Sequence, residues 1–205
     1  LGMDLIITDH HTCKDELPDC VGIINPKKTD EKYPFKEFAG VGVAFKLICA
    51  LESEQNLPKL FNCYSDLVCI GTISDIMSLT GENRIITSVG LQQMNDEIKN
   101  YGIKATLEKA GFDKSKKITS SVISYTIAPR INAAGRIGDA ERAVKMFLSK
   151  SYEEAKDYAE ILCEENRKRQ QTELEIYKQA EEMLKDYDFE KNKVIVLESE
   201  NWHHG

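Results

Sequence analysis

Histidines and acidic residues at two places in the sequence are suited to metal chemistry. The four histidines form two adjacent pairs, at positions 10–11 and 203–204. The first pair follows Asp9, at the end of the apolar run of residues 5–8. Imidazole and carboxylate groups bind divalent ions, and a carboxylate next to a histidine can orient its ring. We therefore interpret residues 9–11 as a candidate site, with a solvated polar turn as the open alternative.

Asp75 is the second candidate, within Gly-Thr-Ile-Ser-Asp-Ile-Met at residues 71–77. A carboxylate is a good ligand for a hard divalent ion, and a charged group in an apolar segment needs a partner. The alternative is that Asp75 caps the amino terminus of a following helix. If Asp75 is a metal ligand, we expect it to converge with Asp9 and His10 at the edge of a parallel sheet.

Two arginines and an asparagine, Arg130, Asn132 and Arg136, lie among small residues between positions 128 and 140. We predict a loop whose proline and glycines fix the backbone. Small residues let a ligand approach the main chain, and guanidinium groups match phosphate oxygens. Phosphate contact is the interpretation we prefer to solvated surface arginines.

The composition restricts the class of protein. The sequence is 41% hydrophobic and 30% charged, with a net charge of −7. This balance argues against a passive DNA-binding module, which needs a basic face, but less against a nuclease, where metal ions supply positive charge. No segment is long and apolar enough for a membrane span, and the first residues do not show a signal-peptide pattern. The six cysteines show no metal-binding spacing, so we predict a reducing, cytoplasmic location without a membrane.

Hydrophobic patterning predicts the elements that position these residues. Apolar runs at 5–8 and 21–24 indicate parallel strands, of which the first is expected to be buried, and residues 71–75 indicate a turn. A charged helix with a narrow apolar stripe covers residues 151–185, as in a connector between lobes. Further helices are predicted at 40–51, 57–70, 85–100, 103–110 and 139–148, and a strand at 193–197. The predicted fold is α/β: a parallel sheet flanked by helices, a long connecting helix and the start of a second α/β domain.

Several blocks of sequence resemble, in order, the signature blocks of the RecJ family within the DHH superfamily of phosphoesterases. They are residues 5–11, 24–27, 38–47, 71–75 and 129–140, with Glu-Glu-Asn-Arg at 164–167. Asp-His-His alone indicates only the superfamily. Gly-Val-Gly-Val-Ala-Phe-Lys and Arg-Ile-Asn-Ala-Ala-Gly-Arg are more specific, and they favour RecJ.

The resemblance implies an enzyme that uses two Mn²⁺ or Mg²⁺ ions to release mononucleotides from the 5′ end of single-stranded DNA, in recombination and repair. It implies that His10 and Asp75 bind metal, while Asp9 and His11 are catalytic. Asp9 would support the residues that bind metal, and His11 would contact substrate or complete the metal shell. Arg130, Asn132 and Arg136 match the block near the substrate phosphates. Single-stranded DNA is the implied partner, with a single-strand-binding protein or a RecQ-type helicase as further candidates.

The resemblance also implies a domain organisation. Residues 1–150 would be the carboxyl-terminal part of the DHH catalytic domain, 151–187 the connecting helix, and 188–205 the first strand of the DHH-associated domain. Trp202, His203 and Gly205 resemble the opening of that domain. The family's Asp-x-Asp-Gly motif would precede Leu1. We therefore expect an interior fragment with an incomplete metal site, which folds but does not cut DNA.

Two rival functions stay open. One is a different phosphoesterase on the same scaffold, such as an oligoribonuclease, a cyclic-dinucleotide phosphodiesterase or a pyrophosphatase. The two RecJ-specific blocks argue against it. The other is a non-catalytic, RecJ-like replication scaffold, which would be expected to have lost metal ligands, whereas Asp9, His10, His11 and Asp75 are all present.

Overall fold

The chain forms two compact units. The computed structural model describes residues 2–136, 139–185, 187–191 and 193–202, and the side chain of Arg136 is not described. One unit comprises Leu1–Asn100 and Phe112–Ala128, and the other comprises Tyr101–Gly111 and Pro129–Gly205. In agreement with the α/β prediction, a small parallel sheet is flanked by helices.

The sheet of the first unit has two parallel strands, β1 (Ile6–Thr8) and β2 (Gly22–Ile24), in which Ile7 pairs with Ile23. The positions of both strands were predicted correctly. The expectation that the first strand is buried was wrong, because Ile6 is 59% exposed. Within the described chain, β1 is paired along one edge only. Since parallel strands end at the same edge, the loops after β1 and β2 become neighbours.

Most of the described chain is helical. The helices are α1 (Gly40–Leu51), α2 (Leu57–Ser74), α3 (Gly81–Asp96), α4 (Tyr101–Lys109), α5 (Ser120–Val122), α6 (Ala128–Arg136), α7 (Glu141–Leu148) and α8 (Tyr152–Met183). A 3₁₀ turn at Glu54–Asn56 precedes α2, and a π-helical stretch at Ile123–Ile127 joins α5 to α6. Across the ranges that the structure describes, no helix is long and apolar enough to cross a membrane.

Close packing of α1, α2 and α3 builds the core of the first unit. A Cβ added at Gly90 of α3 would lie 2.2 Å from the Ser65 carbonyl oxygen of α2, and one at Gly71 would lie 2.6 Å from Val41 Cγ1 of α1. The last turn of α2 is therefore tight against the first turn of α1. The core side chains are Phe38, Val43, Phe45, Leu60, Val68 and Ile86.

The turn predicted at residues 71–75 is instead the last turn of α2, which continues to Ser74. Thr72 and Ile73 are buried, at 1% and 6% exposure, so packing outweighs the weak helix propensity of Gly71 and these β-branched residues. Asp75 ends α2. It does not cap the amino terminus of the next helix, which begins at Gly81, so that alternative was wrong.

The second unit packs α4 and α7 against the long helix α8. Small residues allow the close approach, and the core consists of Ala105, Ala134, Ala143, Met146, Ala155, Ala159 and Leu162. As predicted for this region, α8 begins after Ser151, whose hydroxyl accepts a hydrogen bond from the Glu154 N–H at 3.2 Å. Its buried residues end at Asn166, so only its carboxyl-terminal half is as exposed as a connector would be.

The loop predicted around Arg130 and Asn132 was also wrong, because residues 128–136 form α6. Proline is tolerated in the first turn of a helix, where its missing N–H has no intrahelical partner. Ala133 and Ala134 are fully buried, so the small residues serve helix packing.

The strand predicted at residues 193–197 is not formed in the described part of the chain. Val194 and Val196 are 72% and 82% exposed, and a strand exists only by pairing its backbone with another. His203 and Gly205 lie outside the described residues. The boundaries between the two compact units differ from the predicted domain boundaries. The predicted boundaries describe how the chain corresponds to the DHH domains, and they stay a prediction.

Candidate metal centre

Asp9 organises the loop that follows β1. Its Oδ1 accepts hydrogen bonds from the backbone N–H of His10 at 2.7 Å and of His11 at 3.3 Å, and it lies 2.7 Å from His11 Nδ1. The hydrogen bond with the His11 ring is the main cause that lowers the pKa of Asp9, and desolvation partly opposes it. Asp9 is therefore ionised at neutral pH and holds both histidines in place.

His11 presents its ring to solvent in a defined orientation. An ionised carboxylate can only accept, so the contact with Asp9 assigns the ring hydrogen to Nδ1 and leaves the Nε2 lone pair free for an external group when the ring is neutral. The side chain is 76% exposed. His11 can thus reach a ligand without moving the loop.

His10 lies in a more enclosed position, with its side chain 15% exposed. A Cβ at Gly40, the first residue of α1, would lie 3.4 Å from His10 Cδ2, so the start of α1 packs against the ring. The ring centroids of His10 and His11 are 4.3 Å apart, because β1 ends at Thr8 and the alternation of side chains along a strand stops there.

Asp75 meets His10 from the end of α2. The distance between Asp75 Oδ2 and His10 Nε2 is 3.5 Å, although the two residues are far apart in the chain. The Asp75 side chain is 44% exposed, so a metal ion could reach both atoms. Of the predicted convergence of Asp9, His10 and Asp75 beside the sheet, the structure shows the approach of Asp75 to His10, the residue that follows Asp9.

The donor atoms fit a divalent ion. Potential ligand atoms of Asp9, His10 and His11 lie within 4.8 Å of one another. Adjacent ligands of an octahedral ion with bonds of about 2.1 Å are about 3 Å apart, close to the separation of His10 Nε2 and Asp75 Oδ2. Mixed nitrogen and carboxylate donors suit Mn²⁺, and Mg²⁺ would depend more on the carboxylates.

Asn25, which follows β2, supports this site and was not identified as a functional residue from the sequence. The residue is 3% exposed, its Nδ2 donates to the His11 carbonyl at 2.9 Å, and its Oδ1 accepts from the Lys27 N–H at 2.9 Å. The signal that could have revealed it is an Asn-Pro pair directly after the second parallel strand, since that strand ends beside residues 9–11.

The proposed phosphate-binding residues belong to the second unit. Arg130 is half-buried, and its Nε donates to Cys163 Sγ of α8 at 3.2 Å. Asn132 is exposed on α6. Nearby along α8, Glu165 is buried at 7% exposure and forms an ion pair with Arg142 of α7. The phosphate-binding role of Arg130, Asn132 and Arg136 stays a prediction.

Comparison with protein families and curated sequences gives consistent matches. Residues 1–72 match the DHH family, N-terminal domain. The chain is 37% identical over 205 residues to the single-stranded-DNA-specific exonuclease RecJ of Bacillus subtilis (strain 168), covering 100% of this chain and 25% of that protein. It is 34% identical over 219 residues to the RecJ of Escherichia coli (strain K12), covering 100% of this chain and 38% of that protein.

Solved structures match as well. A crystal structure of exonuclease RecJ bound to manganese matches 93% of this chain with a TM-score of 0.76 and 32% identity, over 46% of its own length. RecJ from Thermus thermophilus in complex with Mn²⁺ matches 98% with a TM-score of 0.79 and 32% identity, over 29% of its length. This chain thus spans 25% and 38% of the two curated relatives named above. Residues 1–72 thus match the DHH family, and the chain is similar along its whole length to part of the RecJ exonucleases.

Proposed function

We propose that the full-length protein is a metal-dependent exonuclease that hydrolyses phosphodiester bonds of single-stranded DNA from the 5′ end. The observation that carries the proposal is the 3.5 Å approach of His10 Nε2 and Asp75 Oδ2 at the edge where β1 and β2 end. The relatives named as single-stranded-DNA-specific exonucleases support the substrate class. The 5′ polarity follows from the family resemblance.

His10 and Asp75 would hold Mn²⁺ or Mg²⁺. Bound divalent ions activate a water and neutralise charge on the phosphoryl oxygens. Asp75 would supply a carboxylate from the end of α2, while the enclosed ring of His10 is fixed by the start of α1. A two-metal site needs further carboxylates, so these residues form part of it.

His11 and Asp9 would act on the substrate side. Asp9 fixes the His11 ring through Nδ1, and the exposed Nε2 can then bind a phosphate oxygen or complete the metal shell. This arrangement is strongest when the Asp9 carboxylate is ionised, because an uncharged acid is a weaker acceptor for the ring N–H.

Arg130, Asn132 and Arg136 would bind substrate phosphates, since guanidinium groups stabilise the charge that develops on non-bridging oxygens. The exposure of Asn132 is compatible with this role. We expect Arg136→Ala to weaken turnover strongly while the melting temperature changes little. A large loss of stability with normal activity would instead assign Arg136 a structural role.

The remaining proposals concern organisation and location. We propose that residues 1–150 correspond to the carboxyl-terminal part of the DHH domain, 151–187 to the connecting helix, and 188–205 to the start of the DHH-associated domain. Single-stranded DNA is the proposed partner, and a single-strand-binding protein or a RecQ-type helicase stays a prediction from the resemblance. The cysteines that the sequence contains are free thiols in the structure, which is compatible with the reducing cytoplasm.

The test is product release by the full-length protein with Mn²⁺ from single-stranded DNA labelled at the 5′ or the 3′ end. We expect early release of labelled mononucleotide from the 5′ end, and a loss of at least about 100-fold in Asp75→Asn, as for removal of a catalytic electrostatic group. Asp30→Asn is the matched control, because the Asp30 side chain is 78% exposed and pairs with Lys28 at the surface. Faster cleavage of RNA or of a cyclic dinucleotide, or full activity in Asp75→Asn, would contradict the proposal.

A further inference from the structure

Ile76, directly after Asp75, has a backbone conformation that isoleucine rarely adopts. Its φ is +56°, and no other non-glycine residue within the described ranges has a positive φ. The Ile76 N–H donates to the Ile73 carbonyl at 3.1 Å, and the Met77 N–H donates to the Thr72 carbonyl at 3.2 Å. These two bonds form a Schellman motif that ends α2, and Ile76 occupies the position where glycine is usual.

This conformation is unfavourable for isoleucine. In the left-handed region the Cβ crowds the backbone, and a β-branched side chain makes the crowding worse. Burial could offset that strain, but Ile76 is 91% exposed. Glycine would make the same turn without the strain, so the packing of the described residues gives no reason for an isoleucine at this position.

The location of Ile76 gives such a reason. Asp75 brings its carboxylate to 3.5 Å from His10, and Ile76 is the next residue along the chain. The strained turn therefore presents to solvent an exposed, apolar, β-branched side chain on the residue that directly follows the candidate metal ligand Asp75. A β-branched side chain has few rotamers, so making a contact with it costs little conformational entropy.

We propose that Ile76 is a substrate-positioning residue, whose side chain packs against the apolar surface of the nucleoside attached to the phosphate at His10 and Asp75. This inference rests on the proposed nuclease function and adds a contact to it. A nucleoside of single-stranded DNA offers two such surfaces, the face of an unpaired base and the C2′ side of the deoxyribose. Either one removes apolar area of Ile76 from water, which favours binding.

The test compares Ile76→Gly with the wild type in the full-length protein. Ile76→Gly relieves the strain, so its melting temperature should rise by a few degrees. The lost contact should raise KM for single-stranded DNA on the order of tenfold, while kcat changes less. Ile76→Val, which keeps an apolar branched side chain, should have a KM closer to that of the wild type than to that of Ile76→Gly.

Ile85→Gly is the matched control. Ile85 is 59% exposed on α3, within a regular helix, so glycine there should lower the melting temperature and leave KM unchanged. If glycine raises the melting temperature at position 76 and lowers it at position 85, the rise reflects relief of backbone strain at Ile76 and not a general effect of glycine.

Modified substrates identify the surface that is bound. If the base is contacted, a 5′-terminal abasic nucleotide raises KM of the wild type but not of Ile76→Gly. If the deoxyribose is contacted, a 5′-terminal ribonucleotide raises KM of the wild type but not of Ile76→Gly.

Two outcomes would overturn the proposal. A lower melting temperature in Ile76→Gly would show that Ile76 packs within the protein. A higher melting temperature with an unchanged KM would show that Ile76 does not contact the substrate. If the wild type does not hydrolyse DNA, the proposed function fails, and binding of the same labelled strands by the same variants still tests the contact.

Discussion

Asn25 Nδ2 donates a hydrogen bond to the His11 carbonyl oxygen at 2.9 Å, and this bond ties the loop after β2 to the loop after β1. The two loops are neighbours because the strands are parallel and in register from Ile6 to Thr8. The position of the histidine pair therefore depends on a buried amide whose hydrogen bonds are made to the backbone of the two loops.

Replacing Asn25 by aspartate should impair the candidate metal centre, although the two side chains are nearly equal in size. The substitution turns a donor into an acceptor facing the His11 carbonyl, so the bond becomes a repulsion at a buried position. We expect a loss of about 1–3 kcal/mol in the free energy of unfolding and a higher Mn²⁺ concentration for half-maximal activity in the full-length protein. Urea unfolding and Mn²⁺ titration measure the two effects.

Asn56→Asp is the control for this substitution. The side chain of Asn56 donates to Glu52 Oε2 at 2.8 Å on the surface, so the same change there should alter stability by less than about 0.5 kcal/mol and leave the Mn²⁺ dependence unchanged. An unchanged Mn²⁺ dependence in Asn25→Asp would show that Asn25 serves folding alone.

The contact between Gly71 and Val41 should be sensitive to a single methyl group. A Cβ at residue 71 would lie 2.6 Å from Val41 Cγ1, so Gly71→Ala forces α1 away from α2. We expect a loss of about 1–3 kcal/mol in the free energy of unfolding. Val41→Ala in the same protein should restore part of it, because it makes room for the added methyl group. Urea unfolding of the two single variants and the double variant measures the coupling between the positions.

Gly135→Ala on α6 is the comparison, since a Cβ there meets no atom within 4 Å and alanine favours a helix. It should leave stability unchanged or raise it. If Gly71→Ala behaves in the same way, the close approach of α1 and α2 is not present in solution.

Hydrophobic patterning predicts the elements that local sequence determines. The apolar runs before Asp9 and Asn25 indicated the positions of both strands, and the stripe after Ser151 indicated the long helix. The end of α2 could not be predicted in this way, because Gly71 usually indicates a turn unless a second helix packs against it. The approach of Val41 is a tertiary contact that no local pattern contains.

The sequence indicated the residue types of the candidate site, but not the hydrogen bonds and turns that support them. Asp9, His10 and Asp75 were identified as candidates because carboxylates and imidazoles bind divalent ions and because they lie in blocks that resemble those of the RecJ family. The hydrogen bond of Asn25 spans 14 positions, and side-chain bonds of that range leave no periodic signal. The positive φ of Ile76 was equally hidden, since isoleucine is a residue type that favours extended backbone.

The thiols of Cys63 and Cys69 should differ in reactivity. Cys69 is fully buried in α2, and its burial raises its pKa to about 12, whereas Cys63 on the same helix is exposed. The thiolate is the reactive form, so at about pH 8 iodoacetamide should modify Cys63 and leave Cys69 intact until the protein unfolds. Peptide mass spectrometry after labelling distinguishes the two positions, with a urea-unfolded sample as the control in which both react. Equal labelling in the native protein would contradict the packing of α2 against α3.

The 205-residue chain on its own should fold but release no nucleotides from DNA. Two divalent ions need several carboxylates to offset their charge. In the described site, Asp75 offers a carboxylate with access to solvent, while Oδ1 of Asp9 is hydrogen-bonded to His10 and His11.

Two measurements test this prediction. Far-ultraviolet circular dichroism should report a helical chain with a cooperative melting transition. Incubation with Mn²⁺ and 5′-labelled single-stranded DNA should leave the label in the intact strand. Release of mononucleotide that requires Mn²⁺ and disappears in His10→Ala would show that the ligands present in this chain suffice for catalysis.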